Sequence, residues 1–469
     1  MTQSDDTPRP DHTVDLSDAA ASKGGVFDGA SGAAETNLEK PGDQIGPYKL
    51  ISQLGEGGFG TVWLAERRQP FVQQVALKVI KAGMDSKAVI GRFEQERQAL
   101  AVMNHPHVAK VLDGGLTPTG RPYFAMEFVK GEPVTDFCDK HKLSIKDRLR
   151  LFMQVCEAIQ HAHTKGIIHR DLKPGNVLVG MGENDTPQAK VIDFGVAKAL
   201  TQRMTEKTVF TETGQMIGTP IYMSPEQADP TDQDIDTRSD VYSLGVILYE
   251  LLAGATPFDI TEMRSRAYRE VQRMIREEDP PSPSARLSTI ATKDAALATR
   301  IAQSRRDAAA SLAKTLKSEL EWIPLKAMRK ERKERYDSPT DLARDLENYL
   351  EGRPLVAAPE STAYRVRKYI RRNRGFVVAA TTVLAALLVG LGTTAWQYRV
   401  AVAQLARSND LLGVITTSNA LNTVRRNDIA ATRRELAVLK ELGRDDRFPA
   451  RLAAAWSDQS LGEPLRGHE

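Results

Sequence analysis

At 469 residues, with 41% hydrophobic and 27% charged side chains, the chain has room for two or three domains and the makeup of an ordinary globular protein. A net charge of only +3 excludes nucleic-acid binding driven by bulk electrostatics, so no nucleic-acid partner is expected. Two cysteines, Cys138 and Cys156, exclude a disulfide framework and lack metal-ligand spacing, which points to reduced thiols in a cytoplasmic setting.

Taken in chain order, residues 1–44 carry nine acids against three bases and almost no aliphatic periodicity. They lack the apolar area to offset ordering entropy and are expected to be disordered. The start, "MTQSDDTPRPDH", has neither a basic region nor an apolar run, so no cleavable signal peptide is expected. From Tyr48, "YKLISQLG", "GTVWLAER" and "QQVALKVI" predict successive antiparallel strands, and "SKAVIGRFEQERQALAVM" has the spacing of a helix. Two more strands are predicted in "VAKVLDGG" and "PYFAMEFV". After Gly131 helices dominate: "IKDRLRLFMQVCEAIQHAHTKG" is amphipathic and closes on a glycine, and "DVYSLGVILYELLAG" is apolar on most faces. A small sheet lobe followed by a larger helical lobe is an α+β arrangement with a cleft between them. Residues 262–318, rich in Arg, Ala and Ser and containing "DPPSPSARLS", read as an inserted, partly disordered helical excursion.

The chemistry is concentrated in three places. In "LGEGGFGTVWLA", Gly55, Gly57 and Gly60 fit G-x-G-x-x-G between two strands, where backbone N–H groups can close over phosphate oxygens; an ordinary glycine-rich hairpin is the alternative. A strand rather than a helix is predicted to follow, which disfavours a dinucleotide fold, and no Gly-Lys-Ser/Thr ends the motif. Lys78 ends "VALK" in an apolar strand, where an unpaired ammonium is costly; it either faces solvent from an edge or pairs with Glu96 and holds phosphates. Finally, "HRDLKPGNVLV" packs Asp171, Lys173 and Asn176 at the mouth of a strand, and "AKVIDFG" does the same for Asp193. Phosphoryl transfer asks for such a set. Asp171 would orient and deprotonate a hydroxyl, Lys173 would meet the γ-phosphate, and Asn176 and Asp193 would offer oxygen ligands to a hard Mg²⁺. Pairing "NVLV" with "AKVID" would bring them to one edge.

These motifs, "GEGGFGTV", "VALK", "HRDLKPGN", "DFG", "GTPIYMSPE" and "DVYSLG", come in the order found in eukaryotic-type protein kinases, which the chain resembles over roughly residues 48–350. The resemblance implies a bilobal fold with a β-rich N-lobe and a helical C-lobe. It further implies Lys78 as the phosphate-binding lysine, Glu96 as its helix partner, Asp171 as the base, and Asn176 and Asp193 as metal ligands. ATP with Mg²⁺, or Mn²⁺ in its place, is the implied cofactor. Its pocket would be formed by Gly55, Gly57, Gly58, Phe59, Gly60, Val62, Ala76, Lys78, Met126, Glu127, Val129 and Leu178, with Met126 as gatekeeper and Glu127–Val129 as the adenine-binding hinge. His169, Phe194 and Leu100 match a packed column linking the lobes, and Arg335 matches an arginine that pairs with Glu226. "SPE" replaces the usual "APE", and generic kinases have no counterpart of the 262–318 insert. Lys173 and Thr219 resemble serine/threonine rather than tyrosine kinases, which makes protein Ser/Thr hydroxyls the expected substrate. Thr201, Thr205, Thr208, Thr211 and Thr213 cluster between Asp193 and Glu226. They either suit a polar loop or are phosphorylated and paired with Arg170.

Beyond the expected kinase domain, 45–350, lies a basic juxtamembrane stretch, 351–375, and then the apolar run Phe376–Trp396. At about 1.5 Å per residue that run spans the roughly 30 Å hydrocarbon core, whereas a buried core helix seldom lacks a polar face for so long. Arg365, Arg367, Lys368, Arg371, Arg372 and Arg374 outweigh Arg399 and Arg407 beyond it, so the kinase is expected in the cytoplasm and 397–469 across the membrane. In this the chain is similar to single-pass bacterial serine/threonine receptor-type kinases. Ala386 and Gly390 suggest a homodimer, and "GEPLRGHE" looks like the opening of a WD-type blade in a truncated relative of kinase–propeller proteins. Two other readings compete: a pseudokinase scaffold, which the intact set of Lys78, Glu96, Asp171, Asn176 and Asp193 disfavours, and an interaction module in which the tail matters most.

Overall fold

The computed structural model describes residues 39–57, 60–81, 100, 102–182, 185–194, 220–229, 235–426, 428–443 and 451. Glu96, Gly58, Phe59, Thr219, the five clustered threonines, most of the acidic N-terminal stretch and the blade-like C-terminus lie outside them.

Six strands form the first sheet: β1 (Gln44–Ile45), β2 (Tyr48–Gly57), β3 (Gly60–Arg67), β4 (Gln73–Ile80), β5 (Val111–Leu116) and β6 (Pro122–Glu127), in the order β1-β2-β3-β4-β6-β5. All neighbours are antiparallel. Period-two alternation sorts the faces of β4. Val75, Leu77 and Val79 join Tyr48, Leu50, Trp63 and Tyr123 in the core of the small lobe. Ala76, Lys78 and Ile80 point the other way, and Ile80 with Phe124 belongs to the large core of the helical lobe. Lys78 is therefore carried on the cleft face of an interior strand. Residues 39–44, expected to be disordered, instead fold onto β2: the Gly42 N–H donates to the Leu50 carbonyl and the Leu50 N–H to the Asp43 carbonyl.

The second sheet, β7 (Glu132–Pro133), β8 (Val177–Met181) and β9 (Pro187–Val191), lies in the helical lobe. Its helices are α1 (Val134–Lys140), α2 (Ile145–Thr164), α3 (Pro225–Ala228), α4 (Arg238–Ala253), α5 (Ile260–Ser265), α6 (Tyr268–Glu277), α7 (Pro283–Lys293), α8 (Ala295–Gln303), α9 (Ala309–Thr315), α10 (Trp322–Ala327) and α11 (Pro339–Leu350). Nearly every residue of α4 is buried, and the helix ends at Gly254 in the left-handed conformation (φ 70°).

The 262–318 segment is helical, as expected, but it is packed into the lobe rather than partly disordered. Leu287, Ile290, Ala298, Ile301, Leu312 and Leu316 belong to the same core as α2 and α4. "DPPSPSARLS" holds a helix start: Ser282 caps the Ala285 N–H and Pro283 takes the first turn. The compact unit also runs past residue 350, because buried Asp345 accepts the N–H groups of Val356 and Ala357, and Leu355 reaches the core.

A separate unit contains α12 (Thr362–Arg372), α13 (Arg374–Arg425) and α14 (Ile429–Glu441). Among the described helices, α13 alone is long and apolar enough to cross a membrane, and none of its apolar window is buried within the protein. Its helix runs well past Trp396, to Arg425.

Candidate active site

β8 and β9 pair with Val177 opposite Val191, so the residues before β8 and after β9 emerge at the same end of the ribbon. The Ile192 N–H donates to the Asn176 carbonyl at 2.9 Å, which ties the two loops together. On the first loop, the Lys173 ammonium donates to Asp171 Oδ2 at 2.9 Å, and Asn176 Nδ2 donates to the Asp171 carbonyl at 2.7 Å and to Oδ2 at 3.3 Å. On the second, Asp193 forms an ion pair with Lys78 across the cleft. The expected helix partner, Glu96, lies outside the described residues. Asp171, Lys173, Asn176, Asp193 and Lys78 are thus gathered from two loops and one strand.

What holds this arrangement is a residue to which the sequence reading gave no role. Asp240, in the first turn of α4, is 1% exposed. Its carboxylate accepts the His169 N–H at 2.8 Å, the Arg170 N–H at 2.9 Å and His163 Nε2–H at 2.8 Å. Burial alone would raise its pKa, but the hydrogen bonds from His163 and from the His169 N–H outweigh it and hold the carboxyl below its ordinary value. Arg170 and Asp193 both have positive φ, 63° and 59°, a conformation that non-glycine residues keep only when their surroundings impose it. The Gln227 amide adds a bond to the Arg170 carbonyl at 2.8 Å.

His169 is fully buried, and burial pushes its imidazole down, favouring the neutral ring. One tautomer satisfies both of its contacts: Nε2–H donates to the Ile192 carbonyl at 3.1 Å, and Nδ1 accepts the Asp171 N–H at 3.3 Å. Its ring lies 4.7 Å from that of Phe194, which in turn shares the core with Leu100. The packed column expected from the resemblance is present.

On the sheet side, the β2–β3 hairpin closes with Gly57 opposite Gly60. A strand follows the glycine motif, as predicted. At Gly60 a Cβ would lie 2.1 Å from the Val79 carbonyl oxygen, so packing demands glycine there. At Gly55 and Gly57 a Cβ would meet nothing within 4 Å; the fold does not need those glycines, and the open space suits a close-lying phosphate. Val62 is opposite Lys78, and Ala76 is opposite Met126. Lys78, Leu100, Val111, Phe124, Met126, Asp193 and Phe194 are among the residues that line one cavity. Gly55, Gly57, Val62, Ala76, Glu127, Val129 and Leu178 are not among its lining residues. The Glu127 carboxylate is turned to Lys190 at 2.5 Å, and Leu178 is half-buried on β8 opposite Lys190.

Further from the cleft, Arg335 and Glu226 form the expected pair. Both are buried, with bonds of 2.7 and 2.8 Å, and Ser239 Oγ donates to the same carboxylate at 2.5 Å. Burial would raise the Glu226 pKa, but Arg335 and Ser239 together hold it below the usual carboxylate range. Cys138 and Cys156 are free and buried, and burial pushes the Cys138 thiol up to about 11.

The protein kinase domain model matches residues 48–323. The serine/threonine-protein kinase PknA of Mycobacterium tuberculosis is 38% identical over 244 residues, 51% of this chain and 53% of that protein. Pkn1 of Myxococcus xanthus is 36% identical over 242 residues, 51% of this chain and 33% of that protein. PknB of M. tuberculosis is 34% identical over 315 residues, 66% of this chain and 44% of that protein. The chain therefore spans from a third to about half the length of these relatives. With more than half of its residues matched by the domain model, this chain belongs to the protein kinase family.

Proposed function

We propose that the chain is a membrane-anchored serine/threonine protein kinase that uses ATP with Mg²⁺, or Mn²⁺ in its place. The observation that carries this reading is the convergence of Asp171, Lys173, Asn176, Asp193 and Lys78 at one edge of the cleft. Asp171 accepts the proton of an incoming hydroxyl, and Lys173, already beside it, moves to the transferring phosphoryl group. Asn176 and Asp193 would hold the metal ion. The donor set fits a hard cation: one carboxylate, and an amide whose nitrogen is committed to Asp171, leaving its oxygen for the ion. Once bound, the ion supplies charge neutralisation between phosphates. Lys78 grips phosphate oxygens, and the glycine hairpin closes over them with Gly55 and Gly57. Glu96 would steady Lys78. Met126 and the Glu127–Val129 connection border the base, with Val62, Ala76 and Leu178 as its apolar walls. The names of the relatives support serine and threonine as acceptors.

Phosphorylation of one of Thr201, Thr205, Thr208, Thr211 and Thr213, and its pairing with Arg170, would raise activity. Replacing all five threonines with alanine is expected to lower activity; unchanged activity would remove this step. The uncovered apolar window of α13 supports a bilayer anchor, with the basic collar 365–374 on the kinase side and a homodimer contact through Ala386 and Gly390. A C-terminal reporter active only in the cytoplasm would contradict that orientation. The catalytic reading is tested by incubating the full-length protein with labelled ATP and Mg²⁺, beside Asp171→Asn. Incorporation into Ser and Thr by the native protein alone is expected; equal incorporation by both would defeat the catalytic assignment.

A further inference from the structure

Beyond its apolar window, α13 continues unbroken to Arg425. Along this stretch Tyr398, Val402, Leu405, Asn409 and Leu412 recur at alternating steps of four and three, the spacing that keeps one stripe facing a partner helix. The stripe is bare: Tyr398 is 71% exposed, Val402 50%, Leu405 67% and Leu412 50%. It ends where α14 begins to cover the helix, at buried Gly413, Thr416 and Ala420, with Ala420 packed beside Leu439. We propose that Tyr398–Leu412 is the seam of a parallel, two-stranded coiled coil between two copies of this chain.

Three features select a second copy as the occupant. A lone amide within an apolar seam is costly against a foreign apolar helix, but Asn409 can bond to its own counterpart when two identical helices run parallel and in register. The positions flanking the seam are small and nearly uncharged, with Thr394, Ala401 and Ser408 on one side and Arg399, Ala406 and Gly413 on the other. In a parallel pair Arg399 meets Thr394 across the interface, so no like charges are forced together. An unbroken helix also carries the stripe away from its apolar window, so a bilayer cannot cover it. This inference rests on the membrane-anchored reading in one respect. Two heptads alone pair weakly, and a shared bilayer, by fixing direction and depth, supplies the register and the effective concentration.

The test uses full-length protein in native membranes, with single cysteines introduced by Leu405→Cys, Leu412→Cys or Arg407→Cys; the native thiols, Cys138 and Cys156, are buried and give little background. Mild oxidation is expected to yield a dimer band at least tenfold stronger at positions 405 and 412 than at 407, which faces away from the seam. Adding Val402→Glu to Leu412→Cys sets two carboxylates in the seam and should weaken that band at least fivefold. Equal bands at all three positions, a band insensitive to Val402→Glu, or linkage to a different protein would overturn the proposal. Alkaline extraction of the same membranes separates it from the anchor. Protein retained in the bilayer without a band at 405 or 412 sinks the seam and keeps the anchor. Protein released with the band intact does the reverse, and protein released without it sinks both.

Discussion

The two sides of the cleft are built on opposite plans. On the helical side, the His169–Asn176 loop is tied down from within: His169 and Arg170 to Asp240, Asp171 to Asn176, and Asn176 to the backbone after β9. On the sheet side, the hairpin tip has Gly55 and Gly57 in open space, and only Gly60 is locked against a neighbouring strand. A reacting hydroxyl tolerates little misplacement, so its base belongs on the side that cannot yield. A nucleotide must enter and leave, so its cover belongs on the side that can.

Asp171→Asn is expected to have the largest effect on turnover, a loss of about 10² to 10⁴-fold in phosphoryl transfer for a missing general base; steady-state kinetics with a peptide acceptor measures it. Asp240→Ala strikes the same loop from beneath. It strands His163 and two backbone N–H groups in a buried site, with an expected cost of about 3–5 kcal/mol in denaturant unfolding. If its midpoint matches the native protein, Asp240 does not anchor the loop.

Acid should expose the same dependence. Asp240 and Glu226 are both held below their ordinary values, so their stabilisation is complete above the unfolded carboxyl range near about 4 and is lost as pH falls through the folded values. The unfolding midpoint of the native protein should therefore drop below about pH 5, and Glu226→Gln should flatten that limb. An identical acid limb in both proteins would contradict the assignment. The smallest effects separate the glycines. Gly60→Ala forces a methyl against the Val79 carbonyl and should cost about 1–3 kcal/mol. Gly55→Ala should change stability by less than about 0.5 kcal/mol while raising KM for ATP. Equal stability losses would mean that the hairpin tip is as tightly built as its base.

Much of this was legible in the sequence because the signals were local. "QQVALKVI" marked Lys78 as a charge in an apolar strand that had to be paired or at an edge, and pairing of "NVLV" with "AKVID" brought Asn176 and Asp193 to one end of a ribbon. Asp240 was not legible in the same way. An acid in the first turn of a helix reads as a favourable charge at its N-terminus, and only the fold brings it beneath a loop seventy positions earlier. The 262–318 segment misled for a related reason. Pro and Ser break structure in isolation, but Ser282 followed by Pro283 starts a helix once an apolar face is available to bury it. At the N-terminus, residues 39–44 have no apolar run of their own, and their order comes from backbone bonds to β2.

The account is tested most directly by a crystal structure of the full chain with Mg²⁺ and a non-hydrolysable ATP analogue. The expected result is a cation held by the oxygens of Asn176 and Asp193, Lys78 on the phosphates, and the His169–Asn176 loop unmoved with Asp240 still beneath it. A nucleotide bound elsewhere, or a loop that rebuilds itself while the glycine hairpin stays still, would contradict the division between a fixed side and a yielding one.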